Sequence, residues 1–198
     1  MLGACAVVGW VLVSLALRRA PAVATKVAAH PLLAHDQQGF MAGLIRSRKT
    51  AILDGSNLYH FGLNEDIGPK AIALIARHLR ADGYRVVCFF DANIHYRLIE
   101  NGDAPQGQRH SVKSLVACFG LQLEEVYVVP SKQQADRFIL DTLKHLPLSF
   151  AVSNDRFRDY AKHYPTVMKG DQWRKGVMVT NTEIRIIKHR FTSPAYLT

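Results

Sequence analysis

Thr50-Ala51-Ile52-Leu53-Asp54-Gly55 decides the fold: a short apolar run, too brief for a helix, breaks off at an acid and a glycine. That is the pattern of a buried strand ending in a turn. Similar runs recur at Val86-Val87-Cys88-Phe89-Phe90 before Asp91, at Val126-Tyr127-Val128-Val129 before Pro130, and at Phe150-Ala151-Val152 before Ser153-Asn154-Asp155. Helical patterns fill the gaps. Ile72, Ile75, Ala76 and Leu79 mark one helix face, stopped by Asp82-Gly83, and Val112, Leu115, Val116 and Phe119 mark another, stopped by Gly120. A third helix is expected over 134–145, with Phe138, Ile139 and Leu143 facing inward. Strands that alternate with helices and read as unbroken apolar runs imply a mainly parallel sheet covered on both faces, hence an α/β domain. In such a sheet ligands bind at the carboxyl ends of the strands.

The chain of 198 residues has room for one domain plus an appendage. Its 48% hydrophobic and 21% charged residues exclude a disordered bulk. A net charge of +9 and a pI near 9.7 point to a polyanion or an anionic membrane face as partner. Cys5, Cys88 and Cys118 form no C-x-x-C pair, which excludes a zinc finger and favours a reducing compartment. His60, His95 and His110 have no metal-ligand spacing either.

Residues 2–17 are all apolar or small and are followed by Arg18-Arg19. The length is close to what a membrane-spanning helix needs, and charge after the run rather than before it places the rest of the chain in the cytoplasm. We therefore expect an apolar N-terminal helix over 1–19 acting as anchor or signal, a linker over 20–48, and the folded domain over 49–198. Ala22-Val23-Ala24 resembles a cleavage site, so removal of the segment, leaving a soluble cytoplasmic or organellar protein, stays open.

Asp54, Asp91 and Asp155 each fall at or just after the end of an expected strand, and Asp136 opens the helix after the third strand. All four should therefore share one edge of the sheet. Asp159 lies one helical turn beyond Asp155, on the same face if Ser153 or Asn154 caps a helix there. Carboxylates brought to about 5 Å repel by roughly 3 kcal/mol per pair at an effective dielectric near 20. They must protonate or bind cations. All-oxygen donors suit Mg2+ or Mn2+, and such ions promote phosphodiester hydrolysis. Lys132, Arg137, Arg156 and Arg158 border these acids and can neutralise the phosphates of a nucleic-acid strand. Tyr59 and Trp173 are candidates for stacking on unpaired bases, against the alternative that they simply pack.

Asp54-Gly55-Ser56-Asn57, Asp136-Arg137-Phe138-Ile139 and Ser153-Asn154-Asp155-Arg156-Phe157-Arg158-Asp159 together resemble the three signature blocks of the Regnase-like NYN ribonucleases, a branch of the PIN-like nuclease superfamily. The resemblance covers Thr50 to Tyr160 and extends more loosely to a loop with Trp173 and the hairpin-like runs 177–179 and 184–187. It implies a single three-layer PIN-like domain and a Mg2+- or Mn2+-dependent endoribonuclease. In it Asp54, Asp136, Asp155 and Asp159 would be the catalytic acids, ordered by Asn57, Ser153 and Asn154. Metal ligation would fall to Asp54, Asp136 and Asp155, with Asp91 as a compensating ligand. Compensation is needed because Ala135 stands where the family commonly has a second acid. That departure keeps alive a second reading, a catalytically inactive RNA-binding or scaffold domain. The expected partner is RNA, in single strands or structured loops, and the sequence is compatible with a homodimer.

For each acid an ordinary role competes. Asp54-Gly55 makes turns, Asp91 can cap the next helix, and Asp136 and Asp155 are favourable at helix N-termini. Asp103 and Asp141 read as solvated surface charges.

Overall fold

A computed structural model describes residues 49–146, 148–180, 183–189 and 197. The helix and linker expected over 1–48 lie outside them. Among the described residues no helix is long and apolar enough to cross a membrane.

The run that opened the sequence reading is strand β1 (Thr50–Asp54), buried at every position. It is the middle strand of five. To one side it pairs in parallel with β2 (Arg85–Phe90), Thr50 opposite Arg85 and Asp54 opposite Phe89, and β2 in turn pairs with β3 (Val126–Val128). To the other side it pairs with β4 (Phe150–Val152), beyond which β5 (Arg174–Lys175) forms the edge. The order β3-β2-β1-β4-β5 is parallel throughout. Because the chain winds outward from β1 in one direction and then crosses to the other side, the sheet has its switch point between β1 and β4. In such sheets ligands bind outside the carboxyl ends of the strands at that point.

Side chains alternate across the sheet, so each face has its own core. Ala51, Leu53, Val86, Cys88, Phe90 and Val152 belong to the cluster that includes α1 (Gly55–Asn64), α2 (Lys70–Ala81) and α4 (Val112–Phe119), α3 being the short helix Ile94–Glu100. Phe90 stacks on Phe119 with ring centroids 4.7 Å apart. The other face carries Ile52, Val87 and Phe89, equally buried, and is covered by α5 (Ala135–His145), which packs against β1, β2 and β4. Phe138 of α5 meets Tyr127 there, at 6.2 Å between centroids. This is the α/β three-layer arrangement expected for a PIN-like domain. The hairpin-like runs pair antiparallel as β6 (Val177–Val179) and β7 (Ile184–Ile186), adding Val177, Ile184 and Ile186 to the first core.

Three local expectations are corrected. Asp54-Gly55 is not a turn but the start of α1: Asp54 is its N-cap, accepting the Asn57 N–H at 3.2 Å. Gly55 is small for packing, since a Cβ there would come within 2.4 Å of Phe90 Cε1. After β4 no α-helix forms. Asp155 instead accepts the Phe157 N–H at 2.7 Å, Phe157 turns left-handed at φ 51°, and a single 3-10 turn follows over Arg158–Tyr160. Ser153 and Asn154 are therefore not helix caps. Short strand β5 and helix α3 carried too few residues to show a period.

Candidate active site

The switch point is closed by a hydrogen-bonded web. Asp54, only 3% exposed at the end of β1, receives the Ser153 hydroxyl on Oδ2 at 2.7 Å from the end of β4. Ser153 Oγ in turn accepts the Asp155 N–H at 3.0 Å. Asn57, on the first turn of α1, accepts the Asn154 N–H at 2.9 Å, and Asn154 Oδ1 accepts the Val177 N–H at 2.7 Å. Asn57, Ser153 and Asn154 thus shape the loop that carries Asp155. They do so through tertiary contacts rather than as helix caps.

Asp91, just beyond β2, makes a contact the sequence did not disclose. Its Oδ1 accepts the Ala135 N–H at 2.9 Å, so it satisfies an orphan donor at the N-terminus of α5. Its own N–H is held by Ser56 Oγ at 2.9 Å. Asp91 therefore caps α5 rather than the helix that follows it in sequence, and ties the start of α5, where Asp136 lies, to the end of β2. The second oxygen of Asp91 is not committed by that bond.

Electrostatics show which acids converge. Burial pushes the Asp54 carboxyl up to about 7; the Ser153 hydroxyl opposes this, the fields of Asp136 and then Asp91 add to it, and the Asn57 N–H lowers it. Asp136 is raised to about 6, first by burial and then by Asp155, Asp91 and Asp159. Acids from β1, β2, α5 and the loop after β4 therefore lie within one another's fields. Among the described residues none of the five forms an ion pair with a basic side chain. Nor is any group of three His, Cys, Asp or Glu side chains arranged to hold a metal ion as it stands. The donor chemistry fits a hard divalent cation, and the raised acids have no basic partner among the described residues. Asp155 and Asp159 are exposed, Asp155 with one carboxylate oxygen held by the Phe157 N–H.

Around the acids, Lys132, Arg156 and Arg158 are exposed, as is Arg137, whose Nε lies 3.8 Å from Asp141 within α5. Asp141 also accepts the Tyr164 hydroxyl at 2.8 Å, so it is no simple surface charge. Asp103, though exposed, likewise accepts a hydroxyl, from Tyr59. Tyr59 is core, 2% exposed and edge-on to Phe119, and is unavailable for base stacking. Two residues were missed: Ser56, inside the first signature block, and Tyr160, whose hydroxyl donates to Gln134 just before α5. The position of Ser56 in that block was the only signal for it.

No curated protein sequence matches the chain. The family model described as the Zc3h12a-like ribonuclease NYN domain matches residues 47–177, a span that runs from just before β1 to the start of β6 and takes in all five acids. With that match over most of its length, on the parallel sheet and switch-point acids already described, the chain belongs to the Zc3h12a-like ribonuclease NYN domain family.

Proposed function

We propose that this protein is a Mg2+- or Mn2+-dependent endoribonuclease that hydrolyses phosphodiester bonds of single-stranded or looped RNA at the carboxyl edge of its sheet. One observation carries the reading: Asp54 and Asp136 are both raised by burial and by neighbouring acids, with no described cation paired to them. A divalent ion, when bound, supplies the missing charge, a more acidic water and stabilisation of the charge developing on the phosphate. Asp54, Asp136 and Asp155 would hold it, with Asp91 offering its uncommitted oxygen. Ser153 and the Asn57 N–H fix the orientation of the Asp54 carboxyl group. Asp159 would orient water at that site. Lys132, Arg137, Arg156 and Arg158 position the flanking phosphates without reading sequence.

The second reading, a silent RNA-binding domain, is favoured by Ala135 and by the lack of a ready-made ligand group among the described residues. One assay separates them: the full chain with labelled single-stranded RNA in magnesium, manganese or chelator, beside Asp155→Asn. The nuclease reading expects cleavage only with metal and a loss on the order of 10²-fold in the variant. Cleavage that survives the chelator overturns it. Binding without cleavage in any metal establishes the silent domain.

Anchoring by residues 2–17, with the domain in the cytoplasm, is also a proposal, resting on Arg18-Arg19 after the apolar run. Release of the full chain from membranes by alkaline carbonate would overturn it.

A further inference from the structure

The acids stand at one end of a longer feature. Trp173 immediately precedes edge strand β5, and its carbonyl accepts the Ala151 N–H at 2.7 Å, which holds the indole at the margin of the sheet. The ring packs edge-on against Phe157 at 5.8 Å, and Phe157 is tied to Asp155 through its N–H. Half-exposed, Trp173 is the wall common to two open clefts of about 520 and 790 Å³. The smaller begins at Asn154 and Arg156, beside the acids. The larger leads away from them to Lys144 at the end of α5, Lys169, and Lys175 of β5.

Charge along this path is one-sided. The described lining of the larger cleft includes these lysines and no carboxylate, and the single acid of the smaller one, Asp171, is already paired with Lys188. Lys175 has its ammonium 4.6 Å over the Phe150 ring and is made less basic by burial and by Lys188. Cations gathered without acids repel, and a polyanion threaded between them removes the penalty. A recessed indole flanked by lysines is also the arrangement that binds unpaired nucleotides, because every base has a face to stack and every link a charge to neutralise. A bilayer surface is flat and engages protruding groups, whereas these line concavities.

We infer that the β5 edge is an extended subsite for single-stranded RNA, in which an unpaired base stacks on Trp173 and the adjoining phosphates follow Lys169, Lys144 and Lys175 away from the acids. The inference rests on the RNA reading above and adds to it a requirement for strand on one side of the scissile bond.

The test uses the full chain carrying Trp10→Phe, which leaves Trp173 as the remaining one of two tryptophans, in chelator so that nothing is cut. A single strand of about 20 nucleotides is titrated in, beside the matching duplex and phosphatidylserine vesicles. We expect the single strand to quench Trp173 fluorescence. Lys144→Glu with Lys169→Glu should weaken binding about tenfold or more and lower the salt slope by about 1.4, as for two lost phosphate contacts. Both positions are exposed, so folding is not at stake. Lys70→Glu with Lys113→Glu, exposed on α2 and α4, makes the same change of net charge elsewhere and should leave the affinity near the original. No quenching by RNA, quenching by vesicles alone, or equal weakening by the two double variants overturns the subsite. Quenching without cleavage in any metal supports the subsite and overturns the nuclease, whereas cleavage without quenching does the reverse.

Discussion

Ser153 Oγ donates to Asp54 Oδ2 at 2.7 Å, joining the ends of β4 and β1 across the switch point of the sheet. Both groups are buried, so the bond orients the acid and also removes the cost of a carboxylate oxygen with no partner. Ser153→Ala should therefore destabilise the fold by about 1–3 kcal/mol and lower metal-dependent cleavage together with it. Urea unfolding in chelator measures the first, and an unchanged midpoint would show that Asp54 does not depend on this donor.

Metal-free stability should depend on pH in an unusual direction. Folded Asp54 keeps its proton up to about pH 7, whereas its ordinary carboxyl value is 3.8. Between those values the folded state binds more protons than the unfolded chain, so this contribution is complete below about 4 and is lost as pH rises through 7. Asp136, raised to about 6, acts in the same sense. In chelator the urea midpoint should fall from pH 5 to pH 8. Saturating Mg2+, which favours the ionised acids, should flatten or reverse that trend. Asp54→Asn should reduce the slope without metal, and a slope indifferent to both ion and variant would mean that Asp54 is not the titrating group.

Asp91 has two assigned roles, and two substitutions divide them. Asp91→Asn keeps an oxygen for the Ala135 N–H, so stability in chelator should stay within about 0.5 kcal/mol while the magnesium needed for cleavage rises. Asp91→Ala loses the cap as well and should cost about 1 kcal/mol more. Equal stability losses would argue against the cap, and unaltered magnesium dependence against the ligand.

Gly55→Ala sets propensity against sterics. Alanine is the better helix former by about 1 kcal/mol. Its Cβ, however, would lie 2.4 Å from Phe90 Cε1, and Phe90 is fully buried and stacked on Phe119. Overpacking of a rigid core costs about 1–3 kcal/mol, so the net effect should be destabilising. A higher melting temperature would show that α1 can move off β2.

The sequence by itself determined the alternation of strands and helices and the position of Asp54, Asp91 and Asp155 at strand ends, because periodicity and chain breaks are local properties. Gly120, left-handed at φ 60°, ends α4 where it was expected to. Only the tertiary structure decided that β1 lies between β2 and β4, that Asp54-Gly55 starts a helix rather than a turn, and that Asp159 comes near Asp136 without an α-helix after β4. Asp91 makes the reason plain. An aspartate at a strand end suits a turn or a cap equally, and the choice falls to partners such as Ala135 and Ser153 that are remote in sequence and brought near only when both faces of the sheet are packed.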